Sequence, residues 1–265
     1  MQQDHKRRYK IKIAYEGTHY SGWQYQPNAM SIQQMLEEKL QVFLKENISI
    51  QASGRTDAGV HAIGQIGHFD FSCEIDLEKF IKAASGLLPK DIRIMQIEPV
   101  SHEFHARYSA SGKEYHYCLH LDPVMNPFQR YNRHHVKGNF DLAKLKQAAA
   151  LFVGKHDFTS FANEPQAGSV SRNPVRHLRK LDVIEIDGGV ALAFEANGFL
   201  YKMVRNITGT LIEVGKGKLA PEDIPRLFDA KDRRKAGKSA PALGLTLIEV
   251  RYPSTAVIQR EGLLP

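Results

Sequence analysis

ISIQASGRTDAGVHAIGQIGHFDF, residues 48–71, decides how the first half of the chain is read. ISIQAS (48–53) reads as a strand, and IGQIGHFDF (63–71) as a second strand whose glycines mark bends. Between them lies a turn bounded by Gly54 and Gly59, residues that accept positive φ and close backbone approach. Upstream, SIQQMLEEKLQVFLKE (31–46) sets Ile32, Met35, Leu36, Leu40 and Phe43 on one helical face. Ser31 is placed to cap that helix, and Gln34 falls at capping-box spacing. YKIKIAYEG (9–17) alternates as a strand does. Downstream, DLEKFIKAASGLL (76–88) is a helix capped by Asp76, and IRIMQIEPV (92–100) is a strand. The order is β-α-β-β-α-β.

The second half repeats the order without repeating the residues. KEYHYCLHL (113–121) alternates as a strand, and DLAKLKQAAALFVG (141–154) is a helix capped by Asp141. LRKLDVIEID (178–187), a Gly-Gly turn and VALAFEA (190–196) make a hairpin. FLYKMVRNITGTLIEVG (199–215) reads as a long amphipathic helix, and GLTLIEVRY (244–252) as the last strand. Residues 122–140 and 155–177, rich in Arg, His, Asn and Pro, read as loops. Two such sets predict an α+β fold of two ferredoxin-like βαββαβ lobes, 1–105 and 106–265. Their antiparallel sheets would lie side by side and leave a central basic cleft suited to a long ligand.

Bulk properties narrow the functional classes. Across 265 residues, 36 lysines and arginines outnumber 29 acids, a formal charge of +7 that favours a polyanionic partner such as RNA or DNA. Apolar runs fall short of a membrane helix, the N-terminal MQQDHKRRYK carries no secretory signal, and the cytoplasm is the expected location. The two cysteines, Cys73 and Cys118, are expected to stay reduced. Twelve histidines invite a metal reading: His116, Cys118 and His120 share one strand face, and RHH (133–135) forms a further group. No CxxC, HExxH or carboxylate set at ligand spacing accompanies them, so no metal is expected.

Asp57 stands in the turn beside Arg55, in GRTD followed by AGVH. A loop held by a preceding strand presents a side chain forward on a rigid support. A carboxylate that must stay charged in a closed, dry site needs a cation at contact distance, because desolvation drives it to protonate. Arg55 is near in sequence, and Arg205 in the long helix of the second half is another candidate. The same spacing equally suits a structural turn in which Asp57 caps a backbone N–H and Arg55 is solvated.

SGRTDAGVHA (53–62) resembles the signature of tRNA pseudouridine synthases of the TruA type. YEGTHYSGWQYQP (15–27), EFHARYSASGKEYHYCL (103–119), HDFTSFA (156–162), NGFLYKMVRNITGTLIEVG (197–215) and APALGLTLIEV (240–250) are similar to that family's other motifs, in order. The resemblance spans residues 9–252 and implies an isomerase that needs no cofactor. It would convert uridine to pseudouridine at positions 38, 39 and 40 of the tRNA anticodon stem-loop. By the same resemblance Asp57, in the N-terminal lobe, is the nucleophile or the base of a glycal route. In the C-terminal lobe Tyr115 stacks on the target uracil, Arg205 pairs with the carboxylate and Leu245 packs on the base. A homodimer sharing one tRNA is also implied.

Basic residues expected to meet phosphate are Arg55, Arg107, Lys113, Arg130, Arg133, Arg172, Arg176, Arg179 and Lys202. SRNPVRHLRK (171–180) and KDRRKAGK (231–238) are the densest basic stretches, and the second reads equally as a solvated loop. The competing class is a non-catalytic RNA-binding protein with tandem ferredoxin-like lobes. It lacks an RNP1-like GFGF pattern and leaves GRTDAGVH unexplained. An aspartate-dependent hydrolase would want a second carboxylate or a metal near Asp57.

Overall fold

Alternating apolar residues build the first strand, β1 (Arg7–Tyr15), whose Tyr9, Ile11, Ile13 and Tyr15 are buried while the residues between them are less so. The computed structural model describes residues 6–163 and 173–253. Among these, packing separates one unit that holds the stretch up to Ser111 and again from Glu249, and a second unit of Gly112–Ile248.

In the first unit, β1 is followed by α1 (Ile32–Leu44), β2 (Gln51–Ala52), β3 (His61–Phe71), α2 (Leu77–Leu87) and β4 (Ile92–Val100). The sheet order is β4-β1-β3-β2, antiparallel throughout, with Ile11 opposite Gly67 on one side and Ile97 on the other. Ser31 accepts from Gln34 N at 3.1 Å and Asp76 accepts from Lys79 N at 3.1 Å, so both predicted caps are in place. The capping box is only half made, because the Gln34 side chain donates forward to Glu38 at 2.8 Å. Phe80 of α2 closes the core against Phe69 of β3 at 6.2 Å and Phe43 of α1 at 6.1 Å.

The second unit runs β5 (Gly112–His120), β6 (His134–His135), α3 (Leu142–Ala150), β7 (Gly154–Asp157), β8 (Val175–Ile186), β9 (Gly189–Ala196), α4 (Met203–Gly215), α5 (Asp223–Ala230) and β10 (Leu245–Arg251), which continues into the first unit. Its sheet order is β10-β5-β9-β8-β7, with β6 a short parallel addition to β5. Setting β6 and β7 aside, both units therefore place the last strand beside the first, then the third, then the second. Leu192, Phe194, Ile207 and Leu211 are fully buried, and Phe152, Phe161 and Phe228 close one end at 4.9 to 5.5 Å. The chain is thus a mixed α+β protein built on mostly antiparallel sheets.

Several local expectations shift. The strand predicted over 48–53 pairs only at Gln51–Ala52, because Glu37 of α1 takes the Ile50 N–H at 2.7 Å in place of a ladder bond. The helix predicted from residue 199 starts at Met203, because Lys202 adopts the left-handed region at φ 59°. That helix is not amphipathic: 11 of its 13 residues are buried, so its polar residues must find partners inside. The helix predicted to 154 ends at Ala150, where the chain turns to bury Phe152. The two loops contain β6 and β7, and β8 begins three residues before its predicted start at Leu178. Helix α5 was not foreseen: it is only eight residues long and carries a proline in its first turn, although Ile224 and Leu227 share its buried side.

Candidate active site

The Asp57 turn is bolted down on both sides. At its entry, Ser53 N donates to Ile66 O at 2.7 Å and Ser53 Oγ donates to the fully buried Gln65 at 2.7 Å. Gln65 in turn donates to Gly54 O at 3.0 Å. Inside the turn, Thr56 Oγ1 shares a 2.9 Å hydrogen bond with the buried Tyr15 hydroxyl, whose pKa burial pushes up to about 12. Trp23 N donates to Thr56 O at 3.1 Å, Gly59 N to Tyr20 O at 3.3 Å, and Val60 N to Asp57 O at 3.1 Å. Gly17 N donates to His61 Nδ1 at 3.0 Å at the exit.

Sequence follows from these contacts. The segment 15–24 lies flush against the turn, and Gly22, at φ +88°, leaves room for it: a Cβ there would stand 2.5 Å from Thr56 O and 3.0 Å from Asp57 C. Gly59 takes φ +78° and lets the turn close. The Asp57 side chain is half-buried between these fixed backbones. Arg55 is exposed and donates from Nε to Gln24 Oε1 at 3.1 Å.

Arg107 sits on a second anchored stretch of the same unit. Arg8 forms a bidentate pair with Asp70 at 2.7 and 2.8 Å, which holds the Asp70 carboxyl below the usual range, and also donates to His102 O and Phe104 O. Ala106 is held through both backbone groups, by His68 Nδ1 at 3.2 Å and by the Tyr252 hydroxyl at 2.7 Å. Arg107 follows directly, its guanidinium 5.8 Å from the ring centre of Tyr108, which is 77% exposed.

In the second unit, Tyr115 and Tyr117 share one face of β5. Tyr115 is buried and meets Phe199 edge-on at 5.1 Å. Tyr117 is fully buried and donates to Pro241 O at 2.7 Å; burial raises its pKa, with the Arg205 charge working against that rise. Arg205, half-buried on α4, donates from Nε to Ala240 O at 2.8 Å while Ala240 N donates back to Arg205 O at 2.9 Å. The segment 240–245 thus ties α4 to β5, and a Cβ at Gly244 would stand 2.7 Å from the Tyr117 ring. Leu245 opens β10 next and is buried. Lys113 lies opposite Ala196 at the start of β5.

The other basic candidates are dispersed through this unit. Arg130 stacks over Tyr131 at 4.0 Å, Arg133 donates to Asp187 O, and Arg176 donates to Asn173 O at 2.6 Å. Arg179 stands 3.6 Å from Glu195, and Lys202 lies over Tyr201 at 5.1 Å. Arg172 lies outside the described residues, as does the start of the basic stretch 171–180. In 231–238, Arg233 is not solvated but turned inward to Asn206 at 2.9 Å, whereas Arg234 pairs with Asp232 on the surface. Among the described residues no group of three or more His, Cys, Asp or Glu is placed to hold a metal ion.

Sequence reasoning did not single out the residues that hold these side chains: Gln65, Tyr15 and Gly22 around the turn, and Asn206 beside Arg205. Gln65 lies inside an apolar strand and Asn206 inside an apolar helix; a polar side chain in such a run is the one signal that marks them.

Residues 11–109 and 148–253 match the model of the family described as tRNA pseudouridine synthase. The tRNA pseudouridine synthase A 1 of Protochlamydia amoebophila (strain UWE25) is 56% identical over 245 residues, covering 92% of this chain and 96% of that protein. The tRNA pseudouridine synthase A of Chlamydia muridarum (strain MoPn / Nigg) is 47% identical over 247 residues, 92% and 91% of the two chains. That of Ruminiclostridium cellulolyticum (strain ATCC 35319 / DSM 5812 / JCM 6584 / H10) is 42% identical over 247 residues, 93% and 100%. The chain belongs to the tRNA pseudouridine synthase family.

Proposed function

We propose that the protein isomerises uridine to pseudouridine at positions 38, 39 and 40 of the tRNA anticodon stem-loop, with Asp57 as the nucleophile. The Asp57 carboxylate bonds to C1′ as the N1–C1′ bond breaks, the freed uracil turns, C5 bonds to C1′ and displaces the carboxylate, and the C5 proton leaves while N1 takes one up. Bonds are redistributed within one nucleotide, so neither an electron acceptor nor a cofactor is called for. The target base must leave its stack to be reached. The observation that carries the proposal is the Asp57 turn: its backbone is hydrogen-bonded on both flanks and packed against 15–24, the support that a reacting carboxylate requires.

The remaining roles follow the family resemblance. Tyr115 stacks on the flipped uracil, which offsets part of the unstacking cost, about 1–3 kcal/mol per base. Arg205 pairs with the Asp57 carboxylate, and Leu245 closes over the base. Arg55, Arg107 and Lys113 position phosphates. This reading takes the units as ferredoxin-like lobes, 1–105 carrying the Asp57 turn and 106–265 carrying Tyr115 and Arg205, with a basic cleft for tRNA. The shared strand order supports the first part. It also takes the working form as a cytoplasmic homodimer.

The test is Asp57→Asn assayed with tRNA tritiated at uridine C5. The expected result is unchanged folding and tRNA affinity with no tritium release. Release at the wild-type rate removes Asp57 from the chemistry, and tight binding by the wild-type protein without any release leaves the RNA-binding reading instead.

A further inference from the structure

Asn206, beside Arg205 on α4, is fully buried in the second unit. A primary amide has two N–H donors and two acceptor lone pairs. All four are used. Nδ2 donates to Phe161 O at 2.9 Å and to Asn163 Oδ1 at 3.0 Å. Oδ1 accepts from Arg233 at 2.9 Å and from the Ser239 hydroxyl. One side chain thus joins the turn after β7 to the segment 232–240.

That segment is a strap laid over α4. Asp232 N donates to Ser160 Oγ at 2.9 Å at one end, and Gly237 N donates to Thr210 Oγ1 at 3.0 Å in the middle. The strap crosses the helix at Gly209, where a Cβ would stand 1.7 Å from Lys238 O. It ends at Ala240, whose N–H and carbonyl bond the Arg205 carbonyl and Nε. Nε is thereby spent on Ala240, which sets the plane of the fork and the direction of the two terminal nitrogens.

We propose that Asn206 is a positioning residue for the reaction: by holding the strap at Arg233 and Ser239, it fixes Ala240 and through it the guanidinium of Arg205. The inference rests on the reading of Arg205 as the partner of the reacting carboxylate. It goes beyond that reading in assigning the orientation of Arg205 to a buried amide and a strap, not to the helix alone. The residue type is specific. Aspartate would set one carboxylate oxygen against both the Phe161 carbonyl and the Asn163 oxygen, and alanine would take one bond from each of the four partners.

The test is a double-mutant cycle between Asn206→Ala and Arg205→Lys, with single-turnover rates and tRNA affinity measured on melted-and-checked folded protein. Asn206→Ala alone is expected to lower the rate by about 100-fold, the scale of an ångström-sized misplacement, with affinity within about threefold of wild type. In the Arg205→Lys background the same change is expected to cost less than about threefold, because the placement it supports is already lost. A second full loss in that background, or a loss seen in affinity in place of rate, overturns the inference. Ser239→Ala leaves three of the four bonds and covers the case in which Asn206→Ala does not fold; it should show a smaller loss with the same split and the same non-additivity. A folded Ser239→Ala with the wild-type rate also overturns it. If Arg205→Met and Arg205→Lys themselves keep the wild-type rate, what falls is the assignment of Arg205, an outcome separate from additivity.

Discussion

Replacing Gly22 by alanine tests whether the Asp57 turn is held by its surroundings or merely lies beside them. The new methyl group would begin 2.5 Å from Thr56 O, 3.0 Å from Asp57 C and 3.1 Å from Ala58 N, all backbone atoms that cannot swing aside. Ordinary contact begins at 3.4 Å, so the gap to Thr56 must open by about 0.9 Å. Segment 22–23 cannot easily supply that shift, since Trp23 is buried and Ile32 N is bonded to Gly22 O at 3.0 Å. The turn itself must then move, and a reacting group displaced by about 1 Å loses about 100-fold in rate. Alanine at positive φ also costs about 1 kcal/mol or slightly more of stability. Gly138→Ala is the matched control: it has φ +90° and nothing within 4 Å of its Cβ, so it bears the backbone strain without the clash. The assay is single-turnover tritium release from C5-labelled tRNA, with urea unfolding of both variants. The expected result is a stability loss in both, larger in Gly22→Ala by the cost of the clash, and a rate loss confined to Gly22→Ala. Equal rates in the two folded variants would refute the claim that the turn's position is set by its contact with residue 22.

Stability is expected to fall as pH drops from about 6.5 to about 4, because His68 is held neutral in the fold with its pKa lowered to about 4 by burial first, then by the Arg8 and His105 charges, against the opposing pull of Asp70. In that window the unfolded chain takes up a proton that the folded chain refuses, so unfolding gains, at most about 3 kcal/mol in total, with no further loss from this group below pH 4. Urea unfolding of wild type and His68→Gln across the window checks it, and identical pH slopes would exclude His68 as the cause. The affinity for tRNA is expected to fall by 10³ or more between about 50 and 200 mM salt if six or more phosphates are neutralised. Filter binding measures the slope, and a flat curve removes the basic-groove reading.

The element order was legible because it rests on local chemistry. Alternation in RRYKIKIAY and the caps at Ser31, Asp76 and Asp141 act over a few residues, and each forms as read. The Asp57 turn was equally legible, since its glycines and its motif are contiguous. What escaped was whatever a distant partner decides. Ile50 leaves the ladder because Glu37, thirteen residues earlier, takes its N–H. Helix α4 is wrapped on nearly every side by elements far along the chain, so its periodicity suggested a solvent face that packing removes. Arg233 reads as a surface charge until Asn206 draws it inward. Sequence by itself determined the main strands and helices and the Asp57 turn, though not β6, β7 or α5, because propensity, capping and glycine conformations act between near neighbours. Tertiary structure alone decided the placement of the candidate site's supports. A buried polar group must be satisfied by whatever the fold brings to it, and for Asn206 and Gln65 those partners lie as far as 45 and 50 residues away.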